Sequence, residues 1–383
     1  MRFGYFRKLP LASLDLQSSV SSRVALSAVG LADRRAAVVV LGSVLVYGFV
    51  MQRLSGVPVG ALVGVVLMFE PLATATILFV ALVAVAFWIV RPETRNRIES
   101  RLFWLLVAGS MAWLTFPLFG MFKQVVLPLR GFLWDRSLAH IGRMLLGISP
   151  WQITHQLFGS LPATRFLDSI YSLWLVLIFV FPMVVAVAVG EPRVRFRLIF
   201  SWFAAWVVIG TLAAWVFASA GPVYYNALVG HDANYAALQL RLAGLERLAV
   251  AQGRPLAALQ FQPILLDAFR LRNYAPAGGI SAMPSMHVAL ATLLVIGGFR
   301  RNRLWGGLLA SYALLIWIAS IHFGWHYFID GPVAALMMVG LWKATAPLAA
   351  RLYPKPSSAI TAVHGELSPL PSPPHLRNFF EST

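Results

Sequence analysis

Cysteine is absent from this 383-residue chain, which excludes disulfides, thiolate metal sites and a cysteine nucleophile together. Charge is scarce as well: Asp, Glu, Lys and Arg make up 12% of the residues, about half the share expected of a soluble globular protein. Acidic residues are scarcest, 14 against 31 basic ones, for a formal net charge of +17. A chain so poor in charge and 59% hydrophobic is neither disordered nor an ordinary soluble enzyme. Its chemistry has to come from His, Ser, Asp, Glu, Lys, Arg or Tyr. The basic surplus does not indicate nucleic acid, because the arginines are dispersed between apolar blocks instead of gathered on a polar domain. They fit membrane flanks.

Long uninterrupted apolar runs take the place of charge. With about 20 residues needed per crossing, the sequence predicts spans at Ala36–Met51, Leu72–Val90, Leu102–Phe122, Tyr171–Gly190, Phe196–Ser219, Pro284–Phe299, Leu304–Ile321 and about Tyr327–Ala346. Val57–Phe69 reads as a re-entrant or interfacial piece, with Glu70-Pro71 as a helix break. The expected fold is an all-α integral membrane protein of about eight transmembrane helices with interfacial amphipathic helices. Arg91, Arg95, Arg97 and Arg101, then Arg193, Arg195 and Arg197, then Arg300, Arg301 and Arg303 each fall two crossings apart, on the same side as Arg2, Arg7, Lys8, Arg351 and Lys355. The positive-inside rule makes that side cytoplasmic. The expected layout is a cytoplasmic segment 1–35, extra N-terminal helices 36–101, a six-helix core 102–350 and a disordered tail 351–383 rich in Pro and Ser. The opposite face receives two long segments, 123–170 and 220–283. In the first, Trp134, Leu138, Ile141 and Leu145 form a stripe with Arg136, His140 and Arg143 off it, as in a helix lying as a lid on the membrane surface. Asp168 and Tyr171 read as interface anchors.

Two polar clusters meet the membrane at that opposite face. Gly278-Gly279-Ile280-Ser281-Ala282-Met283-Pro284-Ser285-Met286-His287 opens the sixth span, and His322-Phe323-Gly324-Trp325-His326-Tyr327-Phe328-Ile329-Asp330 opens the eighth. Helix starts carry unpaired N–H groups and partial positive charge, suited to a phosphate. His326 and Asp330 are spaced i,i+4, so on a helix a carboxylate-to-imidazole hydrogen bond would fix the tautomer and leave the other ring nitrogen nucleophilic. Histidines in a membrane segment are functional by default. His322 is open between a supporting hydrogen bonder, an interfacial residue and a member of the site. His322, His326 and Asp330, with His287, also step in a pattern resembling metal ligation, against which Gly324 argues.

These residues resemble the type 2 phosphatidate phosphatase superfamily, whose signature is Pro-Ser-x-His followed by His-x-x-x-Asp; here Pro284, Ser285, His287, His326 and Asp330. The resemblance implies a six-helix catalytic core. It makes His326 the nucleophile that becomes phosphohistidine, Asp330 its orienting carboxylate, His287 the acid on the leaving group and Ser285 a donor to the phosphoryl oxygens. Backbone amides around Gly278, Gly279 and Ser285 would complete the cradle. The family's usual Arg six residues before the nucleophile is Ser320 here. Its other basic element, Lys or Arg, six residues, then Arg-Pro, has a formal counterpart in Arg247 to Arg254-Pro255, with Arg270 and Arg272 as equal candidates for the phosphate clamp. Loss of that Arg, Gly221-Pro222-Val223-Tyr224-Tyr225, in which Tyr224 and Tyr225 could touch substrate, and the His326–Asp330 string look like the inositol phosphorylceramide synthase-like branch.

The implied activity is transfer of a phosphoryl head group from a phospholipid or polyprenyl phosphate to a lipid or alcohol acceptor, or to water in a phosphatase. The setting is a bacterial inner membrane, with the site facing the periplasm or outside. Membrane lipids are the expected partners, nucleic acid is not, and no cofactor or metal is called for. The rival of another class is a transporter whose His and Asp relay protons, which would spread ionisable residues through the depth of several spans; here they cluster at one face.

Overall fold

The computed structural model describes residues 12–90, 98–272, 274 and 278–354. The expectations placed on Arg2, Arg7 and Lys8, on Arg91, Arg95 and Arg97, and on the tail from Lys355 lie outside these residues. Among the described residues there is no strand. The chain runs through α1 (Ala12–Ser55), α2 (Val59–Met68), α3 (Glu70–Val90), α4 (Ile98–Met121), α5 (Asp135–Leu146), α6 (Pro150–Phe158), α7 (Leu161–Ala188), α8 (Pro192–Val207), α9 (Ala214–Val216), α10 (Tyr225–Leu228), α11 (Ala233–Ala251), α12 (Ala257–Leu271), α13 (Met286–Arg301), α14 (Arg303–His322) and α15 (Asp330–Leu352). A π-helical stretch, Phe122–Val126, continues α4, and a second, Val208–Ala213, joins α8 to α9.

The protein is an all-α integral membrane protein. Six segments among the described residues are long and apolar enough to cross a membrane: Gly30–Ser55, Ser100–Arg130, Leu161–Ala188, Pro192–Val216, Arg303–His322 and Asp330–Leu352. The pair α2 and α3 makes a seventh if taken as one span, bent by 43°. The bend falls at Phe69 and Glu70, where the sequence predicts a break, and Trp113 of α4 donates its indole N–H to the Val66 carbonyl beside it. The expected span at 284–299 is α13, with 16 residues and a length of about 24 Å, shorter than a full crossing. Helix α7 begins ten residues before the apolar run from Tyr171, because Ser160 caps it by accepting from the Ala163 N–H. That polar first section carries Asp168, whose carboxylate accepts from Ala257 and Ala258 N–H at 3.0 and 2.7 Å. Asp168 thus caps the start of α12 from another helix instead of anchoring an interface.

Lipid is as apolar as a protein core, so helix association rests on close packing and on polar groups that find partners. Helix α13 packs on α14 and α15, α15 on α8, and α4 on α1 and α7, around fully buried Trp104, Trp202, Phe122, Phe196 and Phe323. At the end of the bundle away from the starts of α13 and α15, Asp33 of α1 accepts from Arg195 of α8 at 3.2 Å, Ser100 of α4 at 2.8 Å and Tyr353, just past α15, at 2.7 Å. Asp33 and Arg195 are both buried. Beside them the Arg197 guanidinium lies 3.7 Å from the Trp342 ring centroid and donates to the Trp342 carbonyl. The expected surface helix is α5, but its stripe is rotated: Leu138, Ala139 and Gly142 are buried with Asp135, whereas Trp134 and Leu145 are exposed. The inward turn of Asp135 accounts for the rotation.

Removing one partner of a buried pair leaves the other charge unpaired, so Asp33→Ala is expected to cost about 3 kcal/mol or more. A thermal melt of the detergent-purified protein checks this, with Ser100→Ala as the mild comparison.

Candidate active site

The site forms where the loop before α13 meets the loop between α14 and α15. Ser285 N-caps α13, its Oγ accepting from Val288 N–H and its own N–H donating to the Asp330 carbonyl. His287 stands in the first turn. Its imidazole is held between two rings of α7, Tyr171 at 4.5 Å and Trp174 at 4.0 Å between centroids. Trp174 also donates its indole N–H to the His287 carbonyl. These two aromatics, three residues apart on one helix face, are partners that the sequence reading missed; it placed Tyr171 at the interface.

His326 is not on α15. It lies in the turn ahead of it, where its N–H and that of Trp325 both reach the Ser320 carbonyl. The helical reason for pairing it with Asp330 therefore fails, although the residues do meet: Nδ1 is 3.5 Å from Asp330 Oδ2. The shorter contact is to the Ala282 carbonyl oxygen at 2.7 Å. A carbonyl only accepts, so Nδ1 carries a proton, and in the neutral imidazole Nε2 is then the nitrogen with the lone pair. Nε2 faces Nδ1 of His287 at 3.3 Å. Asp330 Oδ2 takes the Tyr327 N–H at 2.8 Å.

Both histidines open into a cavity of about 230 Å³. One end is polar, with His326, His287, Lys123, Ser281 and the backbone of Gly278 and Gly279; the wall beyond is built from Phe116, Phe119, Phe179, Ile178 and Trp206. Phe69, at the break between α2 and α3, closes one side, and Phe261 and Leu265 of α12 another. Gly279 has φ +91°, and a Cβ there would stand 2.5 Å from the Cβ of Lys123 and 2.9 Å from its backbone carbon. The glycine lets the loop lie directly on the lysine.

The remaining expected residues are placed elsewhere. His322 turns away from the cavity and stacks on His155 of α6, centroids 3.9 Å apart; its Nε2 meets Thr164 Oγ1 and its carbonyl accepts from His155 Nε2. Burial pulls the His155 imidazole below its ordinary value. With His322 drawn away, the ligand set suggested by its spacing to His326 and Asp330 is not assembled. Arg270 and Arg272 are exposed at the end of α12 and do not line the cavity, and Arg247 and Arg254 are also exposed. Tyr224 is buried with its hydroxyl on the Gln262 carbonyl, and Tyr225 packs on Tyr235; neither lines the cavity. Ser285 accepts the Val288 N–H through Oγ and is not among the residues lining the cavity.

A family model described as the PAP2 superfamily matches residues 136–344, more than half of the chain. The chain belongs to the PAP2 superfamily. No curated protein and no solved structure matches it. Membership makes this a phosphoesterase-type membrane enzyme. The match begins after Lys123 and Arg130, so the placement of the basic element rests on the sequence and the cavity alone. The spacing of Lys, six residues, then Arg occurs at Lys123 and Arg130, with Gly131 in place of the proline, and Lys123 lines the cavity beside both histidines. Arg247 and Arg254, which have the same spacing, are exposed and do not line the cavity. Lys123 was missed because it sits at the end of a long apolar run, in a π-helical turn that breaks the helical count.

The contact of Gly279 with Lys123 gives a direct test. Gly279→Ala should lower turnover at least about a hundredfold through displacement of the loop or the lysine, checked by activity of the purified variant beside Gly278→Ala.

Proposed function

We propose that this PAP2 enzyme is a lipid phosphotransferase working through a phosphohistidine on His326. The observation that carries the proposal is the cavity itself: paired histidines and a lysine at one end, an aromatic wall suited to a lipid chain along the rest. His326 Nε2 attacks phosphorus, forming the N–P bond as the bond from phosphorus to the leaving oxygen breaks. His287 gives that oxygen its proton. In the second step the acceptor hydroxyl attacks phosphorus, His287 takes its proton, and the N–P bond breaks to restore His326. Asp330 stabilises the cationic imidazole from 3.5 Å, and Lys123 offsets the charge on the phosphoryl oxygens. No step calls for a metal or cofactor.

Transfer to a lipid or alcohol acceptor, instead of water, is favoured by the largely apolar cavity, which disfavours water at the phosphorus. Ser320 in place of the usual Arg and the Gly221–Tyr225 element support likeness to the inositol phosphorylceramide synthase-like branch. We place the site on the non-cytoplasmic face, with the Asp33–Arg195 end toward the cytoplasm as the short-loop arginines suggest. In a bacterium the site would then face the periplasm or the outside.

Purified protein incubated with geranylgeranyl monophosphate, dioleoyl phosphatidic acid and phosphatidylinositol, each with and without a diacylglycerol or alcohol acceptor, should yield a new phosphodiester or phosphoryl acceptor. Release of free phosphate alone would make it a phosphatase. An acid-labile, base-stable phosphoenzyme should form in the parent and be lost in His326→Gln, with turnover down about a thousandfold or more. Full turnover in His326→Gln would refute the proposal.

A further inference from the structure

Below His326, the Ala282 carbonyl that receives its Nδ1 proton is not free to move. The Ala282 N–H donates to the Ser219 carbonyl at 2.9 Å, and the next N–H, of Met283, donates to Ser219 Oγ at 2.9 Å. The residues after Ser219 are fixed in turn. Ala220 and Gly221 both direct their N–H groups at the carboxylate of Asp135, at 2.9–3.0 Å. Gly221, at φ +96°, lies so close to the catalytic turn that a Cβ would stand 2.6 Å from the Trp325 carbonyl oxygen and 3.2 Å from the Ala282 methyl. Two residues on, Val223 N–H donates to the Gly324 carbonyl at 2.9 Å. Asp135 then reaches the other side of the histidine: the Tyr327 hydroxyl donates to its Oδ1 at 2.7 Å, and Tyr327 is the residue bonded to His326.

We infer that Asp135, acting through Ser219 and Tyr327, is a positioning residue that fixes the tautomer of His326, by holding both the imidazole's own backbone and the carbonyl it donates to. This rests on His326 being the nucleophile. Asp135 touches neither the cavity nor the histidine; its carboxylate is wholly buried on α5, a helix that the sequence presents only as a surface lid. The arrangement moves the orienting acceptor of the nucleophile from Asp330, at 3.5 Å, to a backbone oxygen at 2.7 Å. Asp330 keeps the electrostatic part. A neutral carbonyl commits the proton to Nδ1 without being able to take it, whereas a carboxylate at the same distance could.

The test is the ¹⁵N signature of His326 in detergent-solubilised, ¹⁵N-histidine-labelled full-length protein, assigned by its loss in His326→Gln. The parent should show one tautomer, Nδ1 protonated and Nε2 bare. Asp135→Asn and Ser219→Ala should show averaging between tautomers. On the panel lipid the parent turns over fastest, they should have kcat lowered about tenfold or more with KM within about twofold. A variant that keeps the single tautomer, whether or not turnover falls, overturns the inference, since a purely structural role lowers activity without moving the proton. If Asp135→Asn does not fold, Tyr327→Phe removes one bond of the bracket and is judged by the same signature. Full activity in His326→Gln would instead sink the nucleophile assignment and leave the tautomer result standing.

Discussion

One hydrogen bond organises the site end of this protein: the 2.7 Å contact from His326 Nδ1 to the Ala282 carbonyl. An imidazole in water exchanges its proton between two nitrogens freely. Inside a membrane protein, where an unpaired polar group costs several kcal/mol, a single well-placed acceptor decides the question. That acceptor belongs to a loop without regular structure, so it has to be held by neighbours. Ser219 holds it from one side, and Gly221 allows the two loops to lie in contact. Asp135 ties both to the turn that carries the histidine. Burial raises the carboxyl of Asp135 above its ordinary value, opposed by the Tyr327 hydroxyl and the Ala220 and Gly221 amides.

Among the described residues, two clusters of polar side chains stand apart. At one end are the histidines, Asp330 and Asp135; at the other Asp33, Arg195, Ser100 and Tyr353 form a closed knot. The helices also meet through aromatic packing, such as Phe116 with Trp202 and Trp206, and through the buried hydroxyl pairs Tyr47 with Thr211 and Ser201 with Thr345. The cavity runs from the histidines to the aromatic wall that includes Phe116 and Trp206. A ligand in it would therefore meet charge only at the end lined by Lys123 and the two histidines.

His287, His326 and Asp330 were legible in the sequence because short motifs record chemistry directly, and the spans were legible because twenty apolar residues in a row leave few alternatives. The reason given for the His326 and Asp330 pair was wrong even though the residues meet, since i,i+4 spacing implies one helical face only if both residues are helical, and His326 precedes α15. Asp135 and Ser219 were invisible because, apart from the Tyr327 hydroxyl, the partners of their side chains are backbone N–H groups far along the chain, and backbone carries no sequence signal. Tyr171 and Trp174 were legible as aromatics but not as neighbours of His287, because their helix extends past its apolar run. Arg270 and Arg272 drew attention by closeness in sequence to the glycine pair, yet α12 carries them to the surface.

The two π-helical stretches, 122–126 and 208–213, border the cavity from different helices, one bearing Lys123 and the other Gly210. Each adds a residue to a turn and so rotates everything beyond it by about 100° relative to an unbroken helix. The face that α4 presents ahead of its π-helical stretch is thus not the face that carries Lys123. The helical turns before each stretch can therefore vary in which residues they present to their neighbours while Lys123 and Gly210 stay directed at the cavity.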